Sequence, residues 1–194
     1  AVRFLDDVID VNVFPNVKIR RKTQTIRKIG LGIMGWADLL AKMKIQYDSD
    51  EALKFAARLS EFMHNIAMNE SRRIGKVKGY CFPSLRRRNS TLLTIAPTGT
   101  LSILADCNSG IEPYFDKHYT KEVLNGTKLE FGSISNDVKT AHEISPKWHV
   151  RMQAEFQRNV DNAISKTINV PENSKVEEIR DAILLAHFLG CKGV

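Results

Sequence analysis

The sequence predicts an α/β fold in which parallel strands are joined by helices. Three observations predict it. Short apolar, β-branched runs alternate with longer segments of helical periodicity, in the order strand, helix, strand, short helix, then strand, helix, strand, helix. The run Thr91-Leu92-Leu93-Thr94-Ile95 has the composition of a buried strand and stops at Ala96-Pro97-Thr98-Gly99-Thr100, where proline fixes its own φ and removes a donor. The helical segments also carry start and stop signals, which places their ends without reference to the rest of the chain.

Taken in order, Val2, Leu5, Val8 and Ile9 fall at helical spacing and predict an amphipathic helix to about Val11. Asn12 to Asn16 breaks it, and a basic, Thr-containing linker is expected next. Ile26 to Gly35 reads as a strand with its glycines inside it, followed by a helix over Ala37–Met43. Asp48 can cap a helix that has Glu51 in its first turn. That helix is expected to run to about Arg73 with Ala52, Phe55, Leu59, Phe62, Ile66 and Ala67 on one face, and to stop at Gly75. His64 on it reads as a boundary residue, because no metal-ligand partner sits at i+3 or i+4. Lys76–Arg88 is expected to be a loop, and Arg86, Arg87 and Arg88 surface charges at the wrong end of the strand for a ligand.

The segment Tyr114–Ser133 is mixed, with a hairpin signal at Asn125-Gly126. Ser145-Pro146 opens a helix with proline at its first position. Trp148, Met152, Phe156 and Val160 then repeat every four residues, which is packing. His142 and His149 flank that helix start without metal-ligand spacing. If Ala163–Val170 is a strand, Ile164, Lys166, Ile168 and Val170 share one face and Ala163, Ser165, Thr167 and Asn169 the other. The second face is small and polar, which suits either a ligand cavity or crowding by neighbours. Ser174 to Glu177 reads as a capping box for a last helix carrying Val176, Ile179, Ile183 and Ala186, ended by Gly190.

The stretch with most chemistry is Asn89–Phe115. A strand, a small-residue turn and a helix start would gather several N–H groups and the hydroxyls of Thr98 and Thr100 at the positive end of a helix dipole, which suits a phosphate. An ordinary loop in which Thr98 or Thr100 caps the helix has the same spelling. Glu112, in Ile111-Glu112-Pro113, has no proton-bearing partner that the sequence names.

The chain has 194 residues, 43% of them hydrophobic, and a formal net charge of +7, which suits an acidic ligand, a nucleotide or nucleic acid. No apolar run approaches the roughly 18 residues of a membrane helix. The N-terminus does not read as a signal or transit peptide, and without a start methionine it reads as a helix entered midway. Cys81, Cys107 and Cys191 form no CxxC pair and no zinc spacing, which favours a reducing, cytoplasmic setting and no metal site.

The wording RNSTLLTIAPTGTLSILADCNSGIEPYF resembles the C-terminal part of the catalytic subunit of ribonucleotide reductase, and within it the adenosylcobalamin-dependent class II branch. RKIGLGxMG and DNAISKTINVP carry the same resemblance, which is thin over residues 116–140. It implies that residues 1–194 are a C-terminal portion of a ten-stranded α/β barrel. It also implies thiyl-radical reduction of ribonucleoside di- or triphosphates to deoxyribonucleotides for DNA synthesis, with adenosylcobalamin as radical source. Pro97, Thr98, Gly99, Thr100 and Leu101 would bind the substrate's phosphates. The family's radical-bearing cysteine, its Asn and Glu neighbours and its redox cysteine pair would lie upstream of Ala1. The implied partners are the substrate and the rest of the reductase chain, with a homodimer left open and no catalytic residue carried over.

Two rivals stand beside this reading. Gly30-x-Gly32-x-x-Gly35 satisfies the dinucleotide-binding pattern of an NAD(P)-dependent hydroxyacid dehydrogenase. That mechanism needs an apolar strand before the glycines and a second strand ending in an acidic residue about 20 positions on, and neither strand is evident. A non-catalytic nucleotide- or nucleic-acid-binding module would need Lys18, Arg20, Arg21, Lys22 and Arg86–Arg88 on one face.

Overall fold

In the computed structural model the described residues are 1–122, 126, 128–132 and 137–194, with the backbone alone at 121 and 128–132. Seven helices among them are α1 (Val2–Val11), α2 (Val17–Ile26), α3 (Trp36–Lys42), α4 (Asp50–Lys78), α5 (Gly99–Leu104), α6 (Pro146–Gln157) and α7 (Val176–Phe188). The antiparallel pair β1 (His118–Glu122) and β2 (Lys128–Gly132) forms a hairpin in the register Glu122↔Lys128 to His118↔Gly132. Gly126 takes a positive φ in its connection, while Asn125 lies outside the described residues.

The expected parallel strands are present as extended segments with sparse ladders. Leu31 bridges Leu93 and Ile95 bridges Ile164, both parallel. Ile29 N–H donates to Thr91 O at 3.2 Å, Leu31 N–H to Leu92 O at 2.8 Å, and Ser165 N–H to Ile95 O at 3.0 Å. The spatial order is therefore 29–31, 91–95, 162–165. No complete barrel closes among the described residues, and helix outweighs strand.

The linker expected after Asn16 is instead α2. Asn16 Oδ1 accepts from Ile19 N–H at 2.9 Å, a side-chain cap, and the helix buries no residue. The long helix also departs from expectation. Ser49, not Asp48, caps it through Ala52 N–H at 3.1 Å. It passes through Gly75 and ends at Gly79, where φ is +89°. Gly75 stays glycine for a different reason: a Cβ there would lie 2.5 Å from the Tyr80 ring. The buried residues are Ala52, Leu53, Ala56, Ser60, Ala67, Ser71, Ile74 and Gly75, with Phe55 and Leu59 of the expected face packed partly buried against the core and Phe62 and Ile66 exposed. Small residues on this face let the helix lie close to its neighbours.

The core joins Trp36, Leu40, Leu92, Leu93, Ile111, Met152 and Phe156, with Trp36 edge-on to Phe156 at 5.1 Å. The α6 stripe packs as its period predicts. In α7 only Ala182 and Ala186 are buried, and Val176, Ile179 and Ile183 face outward, contrary to the expected stripe. Its cap is shifted by one residue, with Glu178 Oε2 accepting from Lys175 N–H.

Two carboxylates hold these parts together. Asp6, fully buried, accepts from Arg27 Nε at 2.7 Å and Asn89 Nδ2 at 2.8 Å, and Arg88 Nε lies 3.3 Å away. Asn89 is bonded in turn to Ser71 on α4. Asp161 Oδ2 accepts from both Leu92 N–H and Leu93 N–H, at 2.8 and 3.0 Å, standing in for a strand neighbour.

Candidate functional site: a loop and a cleft at the ends of the parallel segments

Segment 91–95 delivers the chain to Pro97 and α5. Thr98 takes a left-handed φ of +52°, and its side chain makes no capping bond to α5, which removes the ordinary-cap reading. Its carbonyl accepts from Ser102 N–H at 2.8 Å and its Oγ1 accepts from Gly110 N–H at 2.9 Å. A hydroxyl that accepts still has its own proton to donate. Thr100 and Leu101 are exposed, and their amides in the first turn of α5 have no acceptor among the described residues.

The 107–114 loop is laid against this turn. Ser109 Oγ lies 2.9 Å from Ser102 Oγ. Asp38 on α3 anchors the loop from below, accepting from Asn108 N–H and from the Tyr114 hydroxyl, each at 2.6 Å. Burial and then the Asp38 contact push the Tyr114 phenol well above its ordinary range, so it stays protonated as a donor. Cys107 sits beside Gly35, and burial with the charges of Asp38 and Asp106 raises its thiol, which makes it a poor nucleophile.

Beyond the loop opens a cleft of about 420 Å³. Asn108, Ser109, Glu112, Phe115, Thr167 and Asn169 contribute to its walls. Thr167 and Asn169 belong to the small polar face expected for 163–169. Ile164 and Lys166 are buried while Ala163, Ser165 and Thr167 are exposed, so the alternation holds there.

Glu112 has the partner that the sequence did not name. Lys166 Nζ donates to Glu112 Oε2 at 2.6 Å, to Thr167 O at 2.7 Å and to His149 Nδ1 at 2.9 Å. Thr167 N–H donates to Glu112 Oε1 at 2.8 Å. His149 Nε2 lies 3.1 Å from Ala141 O, which fixes that nitrogen as the protonated one. Burial, then the Lys166 charge, lowers the His149 pKa to about 4, so the ring is neutral at pH 7. Burial also lowers Lys166, and Glu112 opposes that shift. His149 is thus a core residue, while His142 stacks edge-on against Phe115 at 5.2 Å. A lysine at an inward position between Ile164 and Ile168 was the available signal for a buried acidic partner.

The rival sites are not assembled. Gly30 and Gly32 lie within the extended segment beside Thr94, and only Gly35 caps a helix, so the nicotinamide fingerprint lacks its turn. Lys18, Arg20, Arg21 and Lys22 are exposed on α2, whereas Arg87 and Arg88 are not the surface charges expected. Arg87 Nη2 donates to Ser90 O at 2.5 Å, and Arg88 Nη1 donates to Lys78 O at 2.8 Å.

Fold and site together define an α/β chain with the exposed amides of Thr100 and Leu101 at the end of a parallel segment. Over residues 1–88, 86–138 and 132–194 it matches the family model described as ribonucleotide reductase, barrel domain. The chain belongs to that family. It is 40% identical to a vitamin B12-dependent ribonucleoside-diphosphate reductase of Thermoplasma acidophilum, over 100% of this chain and 31% of that protein. A protein of the same name from Mycobacterium tuberculosis is 36% identical, over 100% and 34%. The chain therefore spans about a third of the length of these curated relatives. In fold it is similar to an Actinobacillus ureae class Id ribonucleotide reductase alpha subunit, with a TM-score of 0.82 over 98% of this chain and 43% of that one, at 23% identity.

Proposed function

We propose that residues 1–194 form a C-terminal portion of a ribonucleotide reductase barrel, with parallel segments that belong to a ten-stranded α/β barrel. In it Pro97, Thr98, Gly99, Thr100 and Leu101 receive the phosphates of a ribonucleoside diphosphate. The observation that carries this reading is the pair of amides on Thr100 and Leu101, left without acceptors among the described residues beside a Thr98 hydroxyl that can still donate. The names of the relatives support reduction of ribonucleotides to deoxyribonucleotides by the whole protein, with adenosylcobalamin as its radical source.

Three clefts among the described residues, about 650, 470 and 420 Å³, are of the size that takes a drug-sized ligand and do not enclose a corrin. The cofactor is therefore assigned to the remainder of the reductase chain, the partner that this portion requires. Many apolar side chains of α1 and α7, among them Phe4, Val11, Ile183 and Phe188, are exposed, which fits a surface that the remainder covers.

Titrating the labelled chain with pyrophosphate tests the loop: the Thr100 and Leu101 amide resonances shift and saturate. Unmoved resonances at both positions defeat the reading. Incubating the chain with adenosylcobalamin, a ribonucleotide and a dithiol yields no deoxyribonucleotide, and turnover would refute the assignment of the radical chemistry to the remainder.

A further inference from the structure

We propose that Glu112 sets the chemical sense of the 420 Å³ cleft: a carboxylate braced from behind by Lys166 that accepts hydrogen bonds from the hydroxyl or amino groups of a nucleoside. The same charge turns the phosphates away from the cleft and towards Thr100 and Leu101. Only this second part rests on the phosphate reading above.

The lysine itself cannot meet a ligand. Its side chain is 0% exposed, and its three protons are all committed, to Glu112, His149 and the Thr167 carbonyl. His149 is neutral and its other nitrogen is bound to Ala141, so it offers no second charge. The cluster is therefore one cation against one anion, with the anion on the cleft side, where 24% of the Glu112 side chain is exposed. Each Glu112 oxygen accepts one internal hydrogen bond, from Lys166 or from Thr167 N–H, and each retains a lone pair for a ligand donor.

The rest of the lining agrees. Asn108, Ser109, Thr120, Thr167 and Asn169 are neutral hydrogen-bonding residues, and among the described residues no lysine or arginine lines the cleft. An anion placed there would face Glu112 without compensation, whereas a neutral donor gains a charge-assisted bond. Phe115 supplies a flat apolar surface, held by edge contacts to Tyr119 at 5.9 Å and His142 at 5.2 Å. An aromatic face beside polar acceptors is the chemistry that receives a base and a sugar. The loop and the cleft adjoin through Thr98–Gly110 and Ser102–Ser109, so one ligand can span both.

The test titrates the full chain with adenosine and, separately, with pyrophosphate, reading amide shifts. Adenosine is expected to move the Glu112, Thr167 and Asn169 resonances. Glu112→Gln, near in shape but uncharged, weakens adenosine by about tenfold, as expected for the loss of a charged hydrogen bond, and lets pyrophosphate move the Thr167 and Asn169 resonances, which it leaves unmoved in the unaltered chain. Glu112→Asp keeps the charge, withdraws it by one methylene and gives a smaller loss. It also serves as the readout should the glutamine variant not fold. Adenosine that binds both variants as it binds the unaltered chain, or that leaves the cleft resonances unmoved, overturns the proposal. If adenosine behaves as expected while pyrophosphate moves neither Thr100 nor Leu101, the role of Glu112 as acceptor stands and the phosphate reading fails.

Discussion

Replacing Gly32 by alanine tests the parallel packing on which the site depends. A Cβ at position 32 would lie 2.1 Å from the Thr94 carbonyl oxygen and 3.2 Å from its carbon. Both are backbone, so no rotamer relieves the clash and the two segments must separate. Separation strains the Thr94 N–H to Leu31 O bond of 3.0 Å and displaces Ile95, whose carbonyl holds Ser165. Overpacking costs about 1–3 kcal/mol and a buried hydrogen bond about 1 more. Gly32→Ala is therefore expected to lose about 3 kcal/mol, a large part of a typical domain's stability.

Gly30 provides the control, because its added Cβ would meet a side chain, Thr94 Cγ2, at 2.5 Å. Gly30→Ala is expected to cost about 1–2 kcal/mol, and Thr94→Ser, which removes that methyl, to recover about 1 kcal/mol of it as a coupling term. The same serine should do nothing for Gly32→Ala. Urea unfolding followed by the fluorescence of the buried Trp36 measures the three single variants and the two double variants. An unchanged midpoint for Gly32→Ala, or equal rescue of both glycines by serine, would refute the reasoning.

Asp6→Ala breaks the buried contacts to Arg27 and Asn89 and should cost about 3–5 kcal/mol in the same assay. Burial raises the Asp6 pKa, but the hydrogen bonds from Arg27 and Asn89 and the charges of Arg27 and Arg88 outweigh it, and the net shift is downward. Its stabilisation is therefore full above the ordinary carboxylate pKa and is lost as pH falls through the depressed value, and Asp6→Ala should lack that acid limb. His149, lowered to about 4, is neutral when folded but takes a proton near 6.5 when unfolded. Its contribution is full above pH 6.5 and declines as pH falls towards 4, on the order of 3 kcal/mol in total, and a His149→Gln titration should show this slope removed. Asp161→Ala strands the amides of Leu92 and Leu93 and should cost about 2–4 kcal/mol, whereas Asp161→Asn, which keeps an acceptor oxygen, should lose less than half as much by urea midpoint.

The sequence by itself determined the features that local chemistry controls. The end of segment 91–95 follows from Pro97, the helix start at Ser145-Pro146 from cap and proline, the packed stripe of α6 from its period, and the family from its wording. Each is set within a few residues, where backbone sterics and spacing decide. Tertiary structure alone decided where the buried face of α4 is centred: Ala52 and Ala67 of the expected face are buried, but Ala56, Ser60 and Ser71 turn inward in place of the expected Phe62 and Ile66. It also decided that Arg87 and Arg88 turn inward, and that Glu112 meets Lys166, 54 positions away. A buried charge is stable only where a partner waits, and which distant residue supplies it depends on how the segments are brought together.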